Sequence, residues 1–130
     1  MPNNSFTHHG DWFDKAEEDR LAADILLREG GSFGTICFLC QQAAEKYLKG
    51  FLVSLGLMFP KTHDLLGLET LLLEKEPGIG ECHEDLKLLN RYYLETRYPG
   101  DCPEFSSAEA SLATQAALHV KEFVLAKIQV

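Results

Sequence analysis

The sequence has no apolar run approaching the roughly 18 residues that a membrane-crossing helix requires. Its start, Met1 to Gly10, lacks the charged-then-apolar order of an export signal. Both absences lead us to expect a soluble, cytoplasmic chain with no membrane partner. A basic excess is also missing: 20 acidic residues outweigh 12 basic ones, for a net charge of -8. That balance repels a phosphate backbone at long range, so general nucleic-acid binding is not expected, although a local basic patch stays open. No segment shows sustained period-two alternation, which argues against a sheet, and there is neither a fixed-period repeat nor a low-complexity tract.

Cysteine is sparse, with Cys37, Cys40, Cys82 and Cys102, and an even count does not by itself imply bridges in a chain with no export signal. Cys37 and Cys40 form a C-x-x-C inside an apolar helical pattern, without the preceding strand and turn of a redox motif. Core packing is the plainer reading for both, since free cysteine is among the most buried residue types. Neither Cys82, Cys102 nor His63 stands at finger-like spacing from that pair, so no metal site and no cofactor are expected.

What is present is ordinary globular composition: 130 residues, 45% apolar and 25% charged, enough for one core without a metal or a staple. Breaks at Gly30-Gly31, Gly56 to Lys61, Pro77 to Gly80 and Pro99 to Pro103 divide the chain into segments that fit a 3.6-residue period. The expectation is an all-α protein, an antiparallel up-and-down bundle of four to five helices. Residues 1–10 are expected to be a disordered N-terminal segment and residues 11–130 a single helical domain.

The first helix is predicted from Asp11 to Glu29. Asp19 falls within its apolar arc and needs either a basic partner on a neighbouring helix or a role in a site. Leu21 and Ile25 lie on the other side and suggest a further contact surface. The second helix, Phe33 to Leu55, has an apolar arc opposite a polar stripe of Gln42, Glu45, Lys46 and Lys49, which reads either as a solvated face or as a site. Gln41 sits in the apolar arc and must find partners inside the bundle. Ala43 and Gly50 offer a small-residue strip for close helix approach. A third helix is predicted from His63 to Glu74 with Thr62 as its N-cap, and His63 at its start is a candidate acid, base or phosphate contact. A fourth, Glu81 to Tyr98, would carry Leu86, Asn90, Tyr93 and Arg97 on one face. There Arg97 either stabilises its own helix end or presents a guanidinium beside Tyr93 and Tyr98 for an anionic group. The last helix opens on Ser106-Ser-Ala-Glu109, a capping box, and runs to about Lys127; His119, off its core stripe, receives no role.

Three segments in series, Gln41-Gln42-Ala-Ala-Glu-Lys-Tyr-Leu-Lys49, Lys61-Thr-His-Asp-Leu65 and Tyr92-Tyr-Leu-Glu-Thr-Arg-Tyr-Pro99, resemble the HEPN domain. The likeness extends from about Asp11 to Lys127. It implies a helical bundle, usually a homodimer, often encoded beside a minimal nucleotidyltransferase partner and in several cases paired with it as toxin and antitoxin. Ribonuclease members of that family carry an Arg followed after four to six residues by His. Here those spacings after Arg97 hold Cys102, Pro103 and Glu104, so no catalytic residue is assigned. The resemblance thus favours a non-catalytic module that binds a nucleotide or docks the nucleotidyltransferase, with Gln42, Glu45, Lys49, His63, Tyr93, Arg97 and Tyr98 as candidate binding residues. A metal-independent ribonuclease using Arg97 with His63 or His119 is one alternative. A purely structural dimeric scaffold is the other.

Overall fold

The structure is a computed structural model that describes residues 8–93 and 105–128. Its described elements are helices α1 (His9–Glu29), α2 (Phe33–Ser54), α3 (Leu65–Leu73), α4 (His83–Asn90) and α5 (Ser107–Ile128), with a 3₁₀ segment at Pro77–Cys82 before α4. The all-α expectation holds among them.

Helix α1 begins at His9, two residues ahead of the predicted start, because the His8 imidazole supplies a cap: its Nδ1 accepts from the Gly10 amide at 3.0 Å. It stops at Gly30, whose φ of 77° lies in the left-handed region that favours glycine. The amides of Gly30 and Gly31 then close onto the carbonyls of Leu27 and Leu26. Ser32 caps α2 by accepting from the Thr35 amide, so a two-glycine break becomes a tight antiparallel hairpin.

Helix α2 is the central element. Its Gly50 lies directly beneath α1: a Cβ there would sit 2.5 Å from Phe13 Cε1 and 2.9 Å from Trp12 Cβ. The small-residue strip therefore marks a real close approach, for which a glycine inside a helix, costing about 1 kcal/mol relative to alanine, is a physical reason. On the other flank α5 runs parallel to α2. Phe105, just ahead of α5, rests on Gly34, and Phe51 meets Phe123 edge-on with centroids 6.5 Å apart. Cys37, Cys40, Leu48, Phe51, Leu52, Leu86 and Val120 are all buried in one continuous core, as the core-packing reading of the C-x-x-C expects. Burial pushes the Cys40 thiol up to about 12.

Glu17 ties three helices together on the α1 side of the core. It takes a two-pronged hydrogen bond from Arg20, at 2.9 and 2.7 Å, one from Tyr47 Oη of α2 at 2.6 Å and one from Lys121 Nζ of α5 at 2.9 Å. Asp19 is paired with Lys46 of α2 at 2.5 Å, which satisfies the carboxylate placed in the apolar arc.

Two predicted boundaries are corrected. Helix α3 starts at Leu65 rather than His63, and its N-cap is Asp64, whose side chain accepts from the Leu66 amide. Thr62 instead accepts from the Asp64 amide, while Asn90 of α4 accepts from the Leu65 amide and donates to Asp64. A reciprocal Asp64–Asn90 pair thus satisfies the open amides of the first turn. Helix α4 ends at Asn90, well short of Tyr98. Leaving the helix there lets Tyr92 turn into the core, where its hydroxyl donates to Glu109 at 2.7 Å and its ring meets Phe105 edge-on. The predicted face is consequently split: Leu86 is core, Asn90 is a cap, Tyr93 lies beyond the helix, and Arg97 lies outside the described residues. In α5 the Ser106 hydroxyl accepts from the Glu109 amide at 3.0 Å, as the capping motif requires.

Candidate functional site

Two members of the polar stripe of α2, Glu45 and Lys49, are buried, while Gln42 and Lys46 are partly exposed. The side chains of Glu45 and Lys49 are 6% and 8% exposed and bonded to each other at 2.9 Å. They are covered by the segment that leads into α3 and by the start of α1, because Lys49 Nζ stands 5.7 Å from the Trp12 ring centroid and 5.9 Å from that of Phe59. Removing two charges from water carries a penalty of several kcal/mol per ion, which mutual attraction offsets only when the remaining valences are also met. Here they are met. Glu45 is approached by His63 Nδ1 at 3.0 Å and by Gln41 Nε2 at 3.4 Å, and the two aromatic faces attract the ammonium.

Gln41 finds its partners in the interior, as its position in the apolar arc demands. Its amide nitrogen donates to the His63 carbonyl at 3.1 Å, and its oxygen accepts from Gln42 at 2.6 Å. One amide thereby fixes both the backbone and, through Glu45, the ring of His63. The contact of Nδ1 with the buried carboxylate leaves Nε2 as the ring nitrogen not engaged by Glu45. The ring lies nearly parallel to Tyr93, with centroids 4.2 Å apart and planes 15° from each other.

This ring pair forms one wall of an open cleft of about 560 Å³ between the entry to α3 and the end of α4. Lys61, Thr62, Asp64, Asn90 and Arg91 complete its lining. Of the sequence-derived candidates, the structure joins Gln42, Glu45, Lys49, His63 and Tyr93 into one connected cluster, but at different depths. His63 and Tyr93 face the cleft; Glu45 and Lys49 stand behind them as buried support. Arg97 and Tyr98 lie outside the described residues. Lys61 and Arg91 were not singled out by sequence; Lys61 opens the Lys-Thr-His-Asp segment, and that adjacency was the available signal. Chemically, the cleft combines a flat aromatic surface, an oriented imidazole and two cations, a set suited to a planar group bearing an anionic one.

His119, which the sequence suggests only for the ribonuclease alternative, is also held. Its Nδ1 lies 2.5 Å from Asp85 and its Nε2 3.0 Å from Glu81. The hydrogen bonds to Asp85 and then Glu81 raise its pKa.

A helical bundle whose central helix carries a buried Gln–Glu–Lys ladder supporting a loop histidine defines the class to which the three quoted segments point. The HEPN domain family model matches residues 9–128, and the chain belongs to the HEPN family. Among solved structures it is similar to TT1696 from Thermus thermophilus, with 31% identity over 92% of this chain and 97% of that one and a TM-score of 0.82. It is also similar to ST0689, described as an archaeal HEPN homologue, with 26% identity over 94% of this chain and 98% of that one and a TM-score of 0.73. No curated protein sequence matches the chain. No helix among the described residues is long and apolar enough to cross a membrane.

Proposed function

We propose that this HEPN module binds a nucleotide-type ligand in the cleft between α3 and α4 and, as a cytoplasmic homodimer, docks a minimal nucleotidyltransferase partner. The observation that carries the reading is the His63–Tyr93 ring pair, braced by buried Glu45 and flanked by Lys61 and Arg91. In this reading the rings receive a base, while Lys61, Arg91 and the family-motif residue Arg97 receive phosphate. Tyr98 is assigned to the same ligand as its neighbour in the family motif, and Gln42, Glu45 and Lys49 hold the imidazole in place. For the dimer, Leu21 and Ile25 are 47% and 49% exposed on α1, large apolar side chains that a second copy would cover. The net charge of -8 would favour a partner with a basic face. A pairing as toxin and antitoxin belongs to the same proposal.

Calorimetry with a nucleotide panel tests the ligand, using wild type, Tyr93→Ala, Arg91→Ala and Arg97→Ala, each checked for helicity. Saturable binding weakened at least about tenfold in these variants is expected, the size of one lost charge-assisted contact. Absence of saturable binding by the wild type would refute ligand presentation and leave docking alone. Leu21→Glu should convert a dimer to a monomer in analytical ultracentrifugation, and a wild-type monomer would refute the assembly.

The Glu45–His63 contact specifically favours a second reading, metal-independent ribonuclease chemistry. A buried carboxylate that orients an imidazole at a cleft is how a general base is held. RNA cleavage that persists in chelator and is lost in His63→Ala would select it; intact RNA after incubation with the pure protein would remove it.

A further inference from the structure

We propose that Cys82, Asp85 and His119 form a binding site for a zinc-class divalent cation, with Glu81 orienting the imidazole from its far side. This goes beyond the cleft, which shares none of these residues. Cys82 is the N-cap of α4 and Asp85 lies in its first turn. A spacing of three places both on one face of the helix. His119 reaches them from α5, 34 positions beyond Asp85. One thiol, one carboxylate oxygen and one ring nitrogen converge so that the three atoms all lie within 4.8 Å of one another.

A tetrahedral zinc ion with ligands at 2.0–2.3 Å sets them roughly 3.3–3.8 Å apart. The three donor atoms, all within 4.8 Å of one another, stand within about an ångström of that spacing at their widest. Donor chemistry narrows the ion: thiolate, imidazole and carboxylate together suit zinc and cobalt, whereas magnesium and calcium prefer oxygen alone.

The second observation is the geometry on the other side of the ring. The imidazole has two nitrogens, and the structure gives each its own carboxylate. Nδ1 faces Asp85 at 2.5 Å, and Nε2 faces Glu81 at 3.0 Å. A ligating histidine typically donates its second N–H to a carboxylate, which fixes the tautomer and increases basicity at the nitrogen that binds metal. Glu81 occupies that outer place, Asp85 the inner one.

Charge points the same way: the carboxylates of Asp85 and Glu81, both at hydrogen-bond distance from the His119 ring, give the site a negative surround that attracts a cation. Metal binding must displace the Cys82 and His119 protons, so affinity should strengthen as pH rises. Three protein ligands would leave one coordination position open to water or another donor.

The test is titration of the full-length protein with cobalt(II), read as a thiolate-to-cobalt charge-transfer band together with the visible bands of a tetrahedral ion, followed by displacement with zinc. Cys82→Ser should abolish the charge-transfer band. His119→Gln, at a partly exposed position that does not threaten the fold, should weaken cobalt binding at least about tenfold and remove the rise in melting temperature that zinc produces in wild type. Glu81→Gln should weaken affinity roughly 10–100-fold while keeping the band, as for an orienting residue. The proposal is overturned if wild type shows no thiolate band, or if Cys82→Ser and His119→Gln bind cobalt as wild type does.

Discussion

Glu17 offers a sharp test of how the bundle is held, because one carboxylate receives donors from α1, α2 and α5. The Arg20 guanidinium, bonded through two nitrogens, is the largest influence. With Tyr47 and Lys121 it outweighs the opposing effect of burial and holds the Glu17 carboxyl down to about 2, against an ordinary 4.5. A group depressed in the folded state contributes stability that is fully present above its unfolded pKa and is lost as pH falls through the folded one. That depression corresponds to roughly 3 kcal/mol at most. The side chain is 29% exposed, and solvent screening reduces that to about 1–2 kcal/mol. Glu17→Gln keeps the shape and removes the charge, so urea unfolding of both proteins isolates this one group while the other carboxylates titrate alike. The expected stability difference is about 1–2 kcal/mol at pH 7, nearly unchanged at pH 5, and falling between about pH 4.5 and 2. A difference that stays constant from pH 7 to 3 would refute the electrostatic account and reassign the effect to packing.

Three other outcomes follow from the packing. Gly50→Ala should destabilise by about 1–3 kcal/mol, measured by urea unfolding, since the new methyl must displace the side chains of Phe13 and Trp12 on helix α1; a neutral result would mean that the hairpin can open at no cost. Asp64→Ala should cost about 1–2 kcal/mol in thermal or urea unfolding, because it removes both the α3 cap and the acceptor of Asn90. The buried Cys40, its thiol pushed up to about 12, should react with a thiol reagent at pH 8 only after unfolding, so labelling followed by mass spectrometry should track the urea transition.

Some of this architecture was legible in the sequence because its causes are local. The Gly30-Gly31 break, the 3.6-residue period of α1 and α2 and the Ser106 cap each depend on a few neighbouring residues. Asp19 and Gln41 were legible for the opposite reason: a polar group in an apolar arc demands a partner, and Lys46 and the His63 carbonyl answer those demands. Glu45 and Lys49 resemble an ordinary solvated i,i+4 pair until Trp12 and Phe59 cover them, and nothing within α2 announces that cover. Tyr92 and Tyr93 continued the period of α4. Only the distant Glu109 and His63, which receive their side chains, explain why the helix stops. The Cys82, Asp85 and His119 group was invisible for the same reason, since two of its members neighbour each other and the third comes from a different helix.

The parallel seating of α5 against α2 also bears on synthesis. A ribosome delivers α1 and α2 early, and they can zip together through the short Gly-Gly turn as soon as both emerge. The other flank of α2 must wait for α5, whose Lys121 meets Glu17 across 104 positions of chain. Throughout that interval Leu48, Phe51 and Leu52 lack the neighbours that will finally seal them, including Phe123. The growing chain therefore carries an open greasy seam until α5 emerges, and protection of that seam by a chaperone matters most just before α5 arrives.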